Sequence, residues 1–306
     1  MEVKDIHTAN RACVATIGFF DGVHRGHCFL VKQLQEVAAQ MGLASAVITF
    51  GQHPRKVLHQ DFQPQLLTTT AEKLQLLDDL GIDVCILLDF TLQLASLSAF
   101  DFMKLIKEQC HVQALVIGYD HRFGHQRSDG FDDYVCYGRS LGMRIIQAQP
   151  FVAADGMAVS SSLARKLILQ GCVDKAVECL GYAYSLSGSV VPGHQVGREM
   201  GFPTANIQVD EADKLIPADG VYAVRVYVGG KEYGGMLSIG NRPTINNGID
   251  RSIEVHLFHF HDDIYGEQVR LTFICRTRPE MTFPSRESLV AQLHKDKEQI
   301  SKILGY

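Results

Sequence analysis

Five short apolar runs in the first half of the chain, spaced by helical patterns, constrain the fold more than any other feature. They are CVATIG (13–18), ASAVITF (44–50), DVCILL (83–88), ALVIG (114–118) and MRIIQA (143–148). Between and after them lie helical stretches such as HCFLVKQLQEVAAQMG and TTAEKLQLLDDLG. In the latter, Leu74, Leu77 and Leu80 form one stripe and Gly81 ends it. Apolar strands separated by helices predict βαβ units, hence a parallel sheet covered by helices on both faces. Ligands of such sheets sit beyond the carboxyl ends of the strands. Three loops fall there: GFFDGVHRGH (18–27), TFGQHPR (49–55) and GYDHRFG (118–124).

After Ser160 come two short helices, SSSLARKLILQG and VDKAVECLG, and then the period changes. Segments 184–191, 220–230, 231–240, 251–260 and 267–276 alternate or run β-branched between Gly-rich turns, which predicts an antiparallel sheet or small barrel. A terminal amphipathic helix over about 285–304 carries Leu289, Leu293 and Ile300 on one stripe. The expected class is therefore α/β plus all-β. A Rossmann-like domain with a parallel sheet spans 1–182, and a small antiparallel β-barrel with a terminal helix spans 183–306. A length of 306 residues suits two cores better than one.

Net charge −5 argues against a nucleic-acid partner, and no apolar run approaches the ~20 residues that cross a bilayer. The N-terminal stretch lacks the layout of a signal peptide, and the eight cysteines contain no C-x-x-C pair. A cytoplasmic protein with reduced thiols is expected. Oligomeric state stays open.

His24 and His27 flank Arg25-Gly26 where strand gives way to helix. A helix start offers unpaired N–H groups and partial positive charge to an anion, and Gly22 and Gly26 let the backbone come close to it. Two imidazoles there can donate hydrogen bonds to a phosphate chain whose charge grows in a transition state. Further on, VSSSLARK opens a helix with natural caps at Ser160–Ser162 and a guanidinium at Arg165. Its hydroxyls and guanidinium suit the far end of a triphosphate, though simple capping also explains a serine.

Together these two clamps resemble the nucleotidylyltransferase superfamily. With TFGQHPR and GYDHRFG beside them, the first domain resembles the FAD synthetase module of the prokaryotic bifunctional riboflavin kinase/FAD synthetases. That resemblance implies ATP binding by Gly18, Phe19, Asp21, Gly22, His24, Gly26, His27, Asp120, Ser161, Ser162 and Arg165. His24, His27 and Arg165 would act on the reacting phosphates, and His53 and Pro54 would bind flavin. The chain departs from the family pattern at Phe19, where many members have Asn, at His121, at Gly51-Gln52 and at Leu163-Ala164.

In GHQVGREMGFPTAN (193–206) the glycines alone indicate turns or bulges. The closing PTAN is sharper, because alternate residues of an extended segment share a face. The Thr204 hydroxyl and Asn206 carbonyl can both approach one Mg2+, a cation that prefers oxygen ligands and phosphate. Glu254, in RSIEVHLF, reads locally as an outward-facing strand carboxylate. This half resembles the riboflavin kinase signature, which implies that Gly193, Gly197, Arg198, Gly201, Pro203, Thr204 and Asn241 bind ATP. The same resemblance makes Glu254 the general base and Arg278, in RTRPEMTFPS, a flavin contact. It also treats the HFHDD run (259–263) as a strand-to-turn connection and the Asn241-Arg242-Pro243 turn as near the nucleotide.

The two resemblances together imply a bifunctional enzyme whose substrates are riboflavin, FMN and ATP with Mg2+, and whose product is FAD. The alternative is a riboflavin kinase with an impaired adenylyltransferase domain, motivated by the departures at Phe19, His121 and 163–164.

Overall fold

A parallel strand buried on both faces needs cover from helices on both sides, and the early apolar runs meet that demand. In a computed structural model of the chain, β2 (Cys13–Ile17) and β3 (Ala44–Phe50) are buried at every position. The structure describes all residues except 60, 126–127, 154–155, 157, 194–195 and 244–248; at 196, 241–243 and 249–250 it describes the backbone alone. The chain divides into two compact units, Met1–Ser161 and Ser162–Tyr306.

The first unit runs β1 (Glu2–Lys4), β2, α1 (Arg25–Met41), β3, α2 (Pro54–Leu58), α3 (Thr70–Asp79), β4 (Val84–Leu88), α4 (Leu92–Ala95), α5 (Ala99–Gln109), β5 (Val112–Ile117), α6 (Phe131–Leu141) and β6 (Arg144–Gln147). The strands form one sheet in the order β1-β4-β3-β2-β5-β6, and each neighbouring pair is parallel. Alternate strand residues feed two cores. Val14, Val47, Cys85 and Val116 pack with Val31, Leu34 and Leu77 of α1 and α3. Ala15, Ile48, Ile86 and Leu115 pack with Phe102, Ile106 and Tyr134 of α5 and α6. The chain places β3 on one flank of β2 and later returns to place β5 on the other. The sheet order thus reverses at β2, so the loops leaving β2 and β5 open into one crevice.

The five expected strands match β2 to β6 within two residues. The edge strand β1, Glu-Val-Lys against β4, has no pattern of its own and was not expected.

The second unit holds most of α7 (Ser161–Leu169), then α8 (Val173–Leu180), β7 (Ser185–Val191), α9 (Val196–Glu199), β8 (Ala205–Val209), β9 (Gly220–Val228), β10 (Lys231–Pro243), β11 (Ile249–Leu257), β12 (Gln268–Arg278) and α10 (Arg286–Leu304). Its strands close a barrel in the order β10-β11-β8-β7-β12-β9, all neighbours antiparallel. Ile300 and Leu304 of α10 are buried against Val221, Ala223 and Met236 of the barrel. Helix α8 packs on β12 within the second unit. Among the described residues, no helix is long and apolar enough to cross a membrane.

Candidate active sites

Where β2 ends, the Gly18 N–H still donates to the Ile48 carbonyl at 3.1 Å. The next turn is unusually tight: Phe20, Gly22 and Val23 take φ of 55°, 76° and 34°. A β-branched residue in that region is strained, so neighbours must hold it there. Phe20 and Val23 are buried. The Asp21 carboxylate, itself buried, accepts from Leu67 N–H (2.9 Å) and Thr68 N–H (3.1 Å), while Gly22 N–H donates to Thr68 Oγ1 at 3.0 Å.

His24 caps α1, with Nδ1 accepting from the His27 N–H at 3.3 Å, which puts its ring proton on Nε2. The two imidazoles stack 3.7 Å apart at 15°. Burial pushes His24 down to about 4. Burial, and then the proximity of His24 and His121, holds His27 well below the ordinary histidine range. Its Nδ1 is buried without a hydrogen-bond partner. At neutral pH the pair is uncharged, able to donate toward an anion without repelling itself. A Cβ on Gly26 would lie 3.1 Å from the His24 ring, so the bare backbone there makes room for the stack.

The other expected contacts of this unit divide. Ser161 Oγ, at the end of the first unit, donates to the Asp21 carbonyl at 2.8 Å. Asp120 is exposed in the turn after β5. His53 caps α2, accepting from Arg55 N–H at 3.1 Å ahead of Pro54, and the Phe19 ring stands edge-on to it at 4.7 Å. Ser162 and Arg165 follow on α7, within the second unit.

In the barrel, β7 leads through Gly193 into the single turn α9, closed by Gly201 at φ 80° and by Phe202 N–H donating to Gly197 O at 2.8 Å. The chain then enters β8. Across the β8–β11 pair, Asn206 faces Glu254 in register, and Thr204 Oγ1 donates to Glu254 Oε2 at 3.2 Å. Three oxygen-bearing side chains, from β8, the residue just before it and β11, therefore converge. A Cβ on Gly193 would fall 2.0 Å from Asn206 Nδ2, so the glycine backbone lies directly against that amide. His256 Nδ1 lies 2.8 Å from the Pro203 carbonyl and pins the residue before Thr204. An open cleft of about 360 Å³ adjoins the cluster. Arg198, Pro203, Thr204 and Ala205 form one wall, and Leu257 with Phe260–Tyr265 forms the other.

A match over residues 6–163 identifies an FAD synthetase domain, and a second over 180–304 identifies a riboflavin kinase domain. The chain belongs to the bifunctional riboflavin kinase/FMN adenylyltransferases. A Listeria monocytogenes relative of that description is 38% identical, over 93% of this chain and 90% of its own length. An Escherichia coli relative of the same description is 35% identical over 99% of this chain and 97% of its own. A solved chain described as a macrolide-efflux protein from Streptococcus pneumoniae has the same fold. Its TM-score is 0.88 at 31% identity, over 97% of this chain and 98% of that one. The two activities are phosphorylation of riboflavin by ATP to FMN and adenylylation of FMN by ATP to FAD.

Two expectations for this bifunctional enzyme take a different form in the structure. The Arg278 guanidinium is engaged with Asp296, its Nη2 2.8 Å and Nε 2.9 Å from Oδ2, and Nη1 donates to the Pro279 carbonyl at 3.0 Å. Asn241-Arg242-Pro243 belongs to strand β10, with Asn241 opposite Arg251, rather than to a turn. Residues 244–248, and the Asn241 side chain, lie outside the described residues.

Two features escaped sequence reasoning. The run after Leu257, taken as a mere connection, lines the cleft because β11 stops there and His259 turns the chain at φ 55°. Residues 67–73 grip both loops of the first unit. Their visible signal was the Thr-x-x-Glu helix start, which forms a capping box between Thr69 and Glu72.

Proposed function

We propose that residues 1–182 carry FMN adenylylation and residues 183–306 carry riboflavin phosphorylation. In the kinase, the riboflavin 5′-hydroxyl oxygen attacks the γ-phosphorus of ATP, ADP leaves, and Glu254 takes the hydroxyl proton. The observation that carries this reading is the convergence of Thr204, Asn206 and Glu254 beside an open cleft. Thr204 spends its proton on Glu254 and keeps oxygen lone pairs, and with the Asn206 side-chain carbonyl it offers the oxygen donors a hard cation prefers, so these residues fit Mg2+. When bound, Mg2+ neutralises charge on the ATP phosphates. Gly193, Gly197, Arg198, Gly201 and Pro203 shape the turn around the phosphates, and Asn241 serves the same nucleotide from strand β10. Arg278 serves the flavin end from its place against Asp296.

In the adenylyltransferase, a phosphate oxygen of FMN attacks the α-phosphorus of a second ATP and pyrophosphate leaves. No protein nucleophile is needed, and catalysis comes from position and charge stabilisation. His24 and His27 meet the phosphates, and Gly18, Phe19, Asp21, Gly22 and Gly26 form their cradle. Ser161, Ser162 and Arg165 take the far end, Asp120 takes the ribose, and His53 with Pro54 takes the flavin. Asp21 acts through the backbone, since its carboxylate is bonded to Leu67 and Thr68.

We place the enzyme in the cytoplasm, without nucleic-acid partners. Support comes from the free cysteines and the net charge of −5. Burial also pushes the Cys13 thiol up to about 12 and Cys85 and Cys110 to about 11, so these thiols stay protonated and inert.

Product analysis with riboflavin, ATP and Mg2+ tests the division. His27→Ala is expected to stop FAD formation while FMN accumulates. Glu254→Ala is expected to block FMN formation from riboflavin yet still convert supplied FMN to FAD with pyrophosphate release. Loss of both activities from either substitution in a folded protein refutes the assignment.

A further inference from the structure

We propose that Lys73 is a positioning residue for adenylyl transfer, its ammonium joining the ends of β2 and β3 so that the phosphate loop and the flavin loop keep one separation. The inference rests on the roles given above to His24, His27 and His53.

The parallel pairing of these strands ends at Ile17 opposite Ile48. Two residues further along each strand, at Phe19 and Phe50, one side chain from α3 spans the gap. Lys73 Nζ donates to the Phe50 carbonyl at 2.7 Å and to the Phe19 carbonyl at 3.3 Å. Beyond Phe19 lies the His loop, and beyond Phe50 lies the loop of His53. The ammonium therefore replaces the missing rung of the ladder at the point where the two loops part.

Neighbouring groups strengthen the joint. Thr49 Oγ1 donates to the same Phe19 carbonyl at 3.1 Å, and Thr70 Oγ1, three residues before Lys73, donates to the Gly51 carbonyl at 2.9 Å. Lys73 Nζ also lies 4.5 Å from the centre of the Phe19 ring, which stands edge-on to His53. One cation thus touches the backbone of both loops and, through Phe19, the side chain assigned to flavin.

Mere filling of space does not account for this residue. Lys73 is 2% exposed, and no carboxylate of the described residues lies within ion-pairing distance of it. Burial lowers its pKa to about 8, opposed by the weaker pull of Asp21 in the His loop. A Leu or Met would cover the same apolar surface without taking an ammonium from water. What the ammonium adds is a donor to two carbonyls at once. In-line attack of FMN on the α-phosphorus depends on the distance between the two loops, and misplacement by about 1 Å can cost roughly 100-fold.

The test is FMN-to-FAD turnover by the full chain, with kcat expressed per FMN-binding site. For Lys73→Met, kcat should fall roughly 10- to 100-fold, because alignment rather than uniform binding is lost. The KM values for ATP and FMN should move by less than about threefold. Lys73→Arg, which keeps charge and donors, should recover most of the loss. Riboflavin phosphorylation should stay at the wild-type rate in both. Wild-type kcat in Lys73→Met, a change confined to KM, or an Arg variant no better than Met overturns the proposal. If Lys73→Met does not fold, the near-isosteric Thr49→Val, which removes the second donor to Phe19, must lower kcat severalfold. Wild-type kcat in that variant overturns the proposal instead. A wild-type chain that makes no FAD from FMN refutes the underlying assignment, whereas wild-type turnover with an indifferent Lys73 refutes this inference alone.

Discussion

Removal of the Asp296 carboxylate should unseat the terminal helix from the barrel. Asp296 is 1% exposed, and its oxygens accept from Arg278 Nε at 2.9 and 3.1 Å, from Arg278 Nη2 at 2.8 Å and from Gln292 Nε2 at 2.8 Å. Arg278 ends β12 and Asp296 lies on α10, so the pair joins helix to barrel. In Asp296→Ala the guanidinium, 14% exposed, keeps, among the described residues, the Pro279 carbonyl and the face of Phe283. Stranding one partner of a buried pair costs about 3–5 kcal/mol. With a slope near 2 kcal/mol per molar urea, the unfolding midpoint should fall by about 2 M. The assay is riboflavin kinase activity against urea, with FMN adenylylation by the same chain as the reference. Replacing both partners by leucine should recover most of the loss when unfolding is followed by far-UV circular dichroism instead of activity, since an apolar pair carries no unmatched charge. A midpoint shift below about 0.5 M in Asp296→Ala would refute the reasoning. It would mean that Arg278 directs its charge elsewhere, and a raised KM for riboflavin would then identify the flavin as its partner.

Acid should weaken the first unit through its histidines. Below its ordinary value of 6.5 an unfolded imidazole takes up a proton that folded His24, near 4, refuses. Stability from this residue is whole above about pH 6.5 and declines by about 3 kcal/mol toward pH 4. His24→Asn keeps a capping acceptor and should show a shallower decline in urea midpoints over that range; an unchanged slope argues against the buried-neutral pair. Gly193→Ala drives a methyl group into the Asn206 amide and should cut kinase kcat/KM by roughly tenfold or more while FAD formation from FMN continues. Wild-type kinase kinetics in Gly193→Ala would remove the glycine from the site.

Both sheets were legible because each follows from a local rule. Buried parallel strands read as unbroken apolar runs, and β3 matches its expected limits at Ala44 and Phe50. Barrel strands alternate, as β7 does with Leu186, Gly188 and Val190 facing inward. Strand β1 carries only three residues, too few to show a period, and it exists because the edge of β4 accepts its hydrogen bonds. In the sites, His24, His27, Thr204 and Glu254 could be singled out because each sits in a motif with its own chemistry. Lys73, Asp296 and His256 could not. Each looks like an ordinary polar residue of a helix or strand, and each is buried only because a distant segment folds over it.

The sequence by itself determined the fold class, the positions of the two Gly-rich turns and the residue types that meet phosphate. Those depend on period, chain punctuation and side-chain chemistry within a few residues. Only the tertiary structure decided which groups share a partner. Asp21 turns inward to hold Thr68, Arg278 closes on Asp296 eighteen residues away, and Lys73 bridges two strands that are far apart in sequence from it. The reason is physical: burial and hydrogen-bond satisfaction are settled by neighbours in space, and a chain read in order does not contain them.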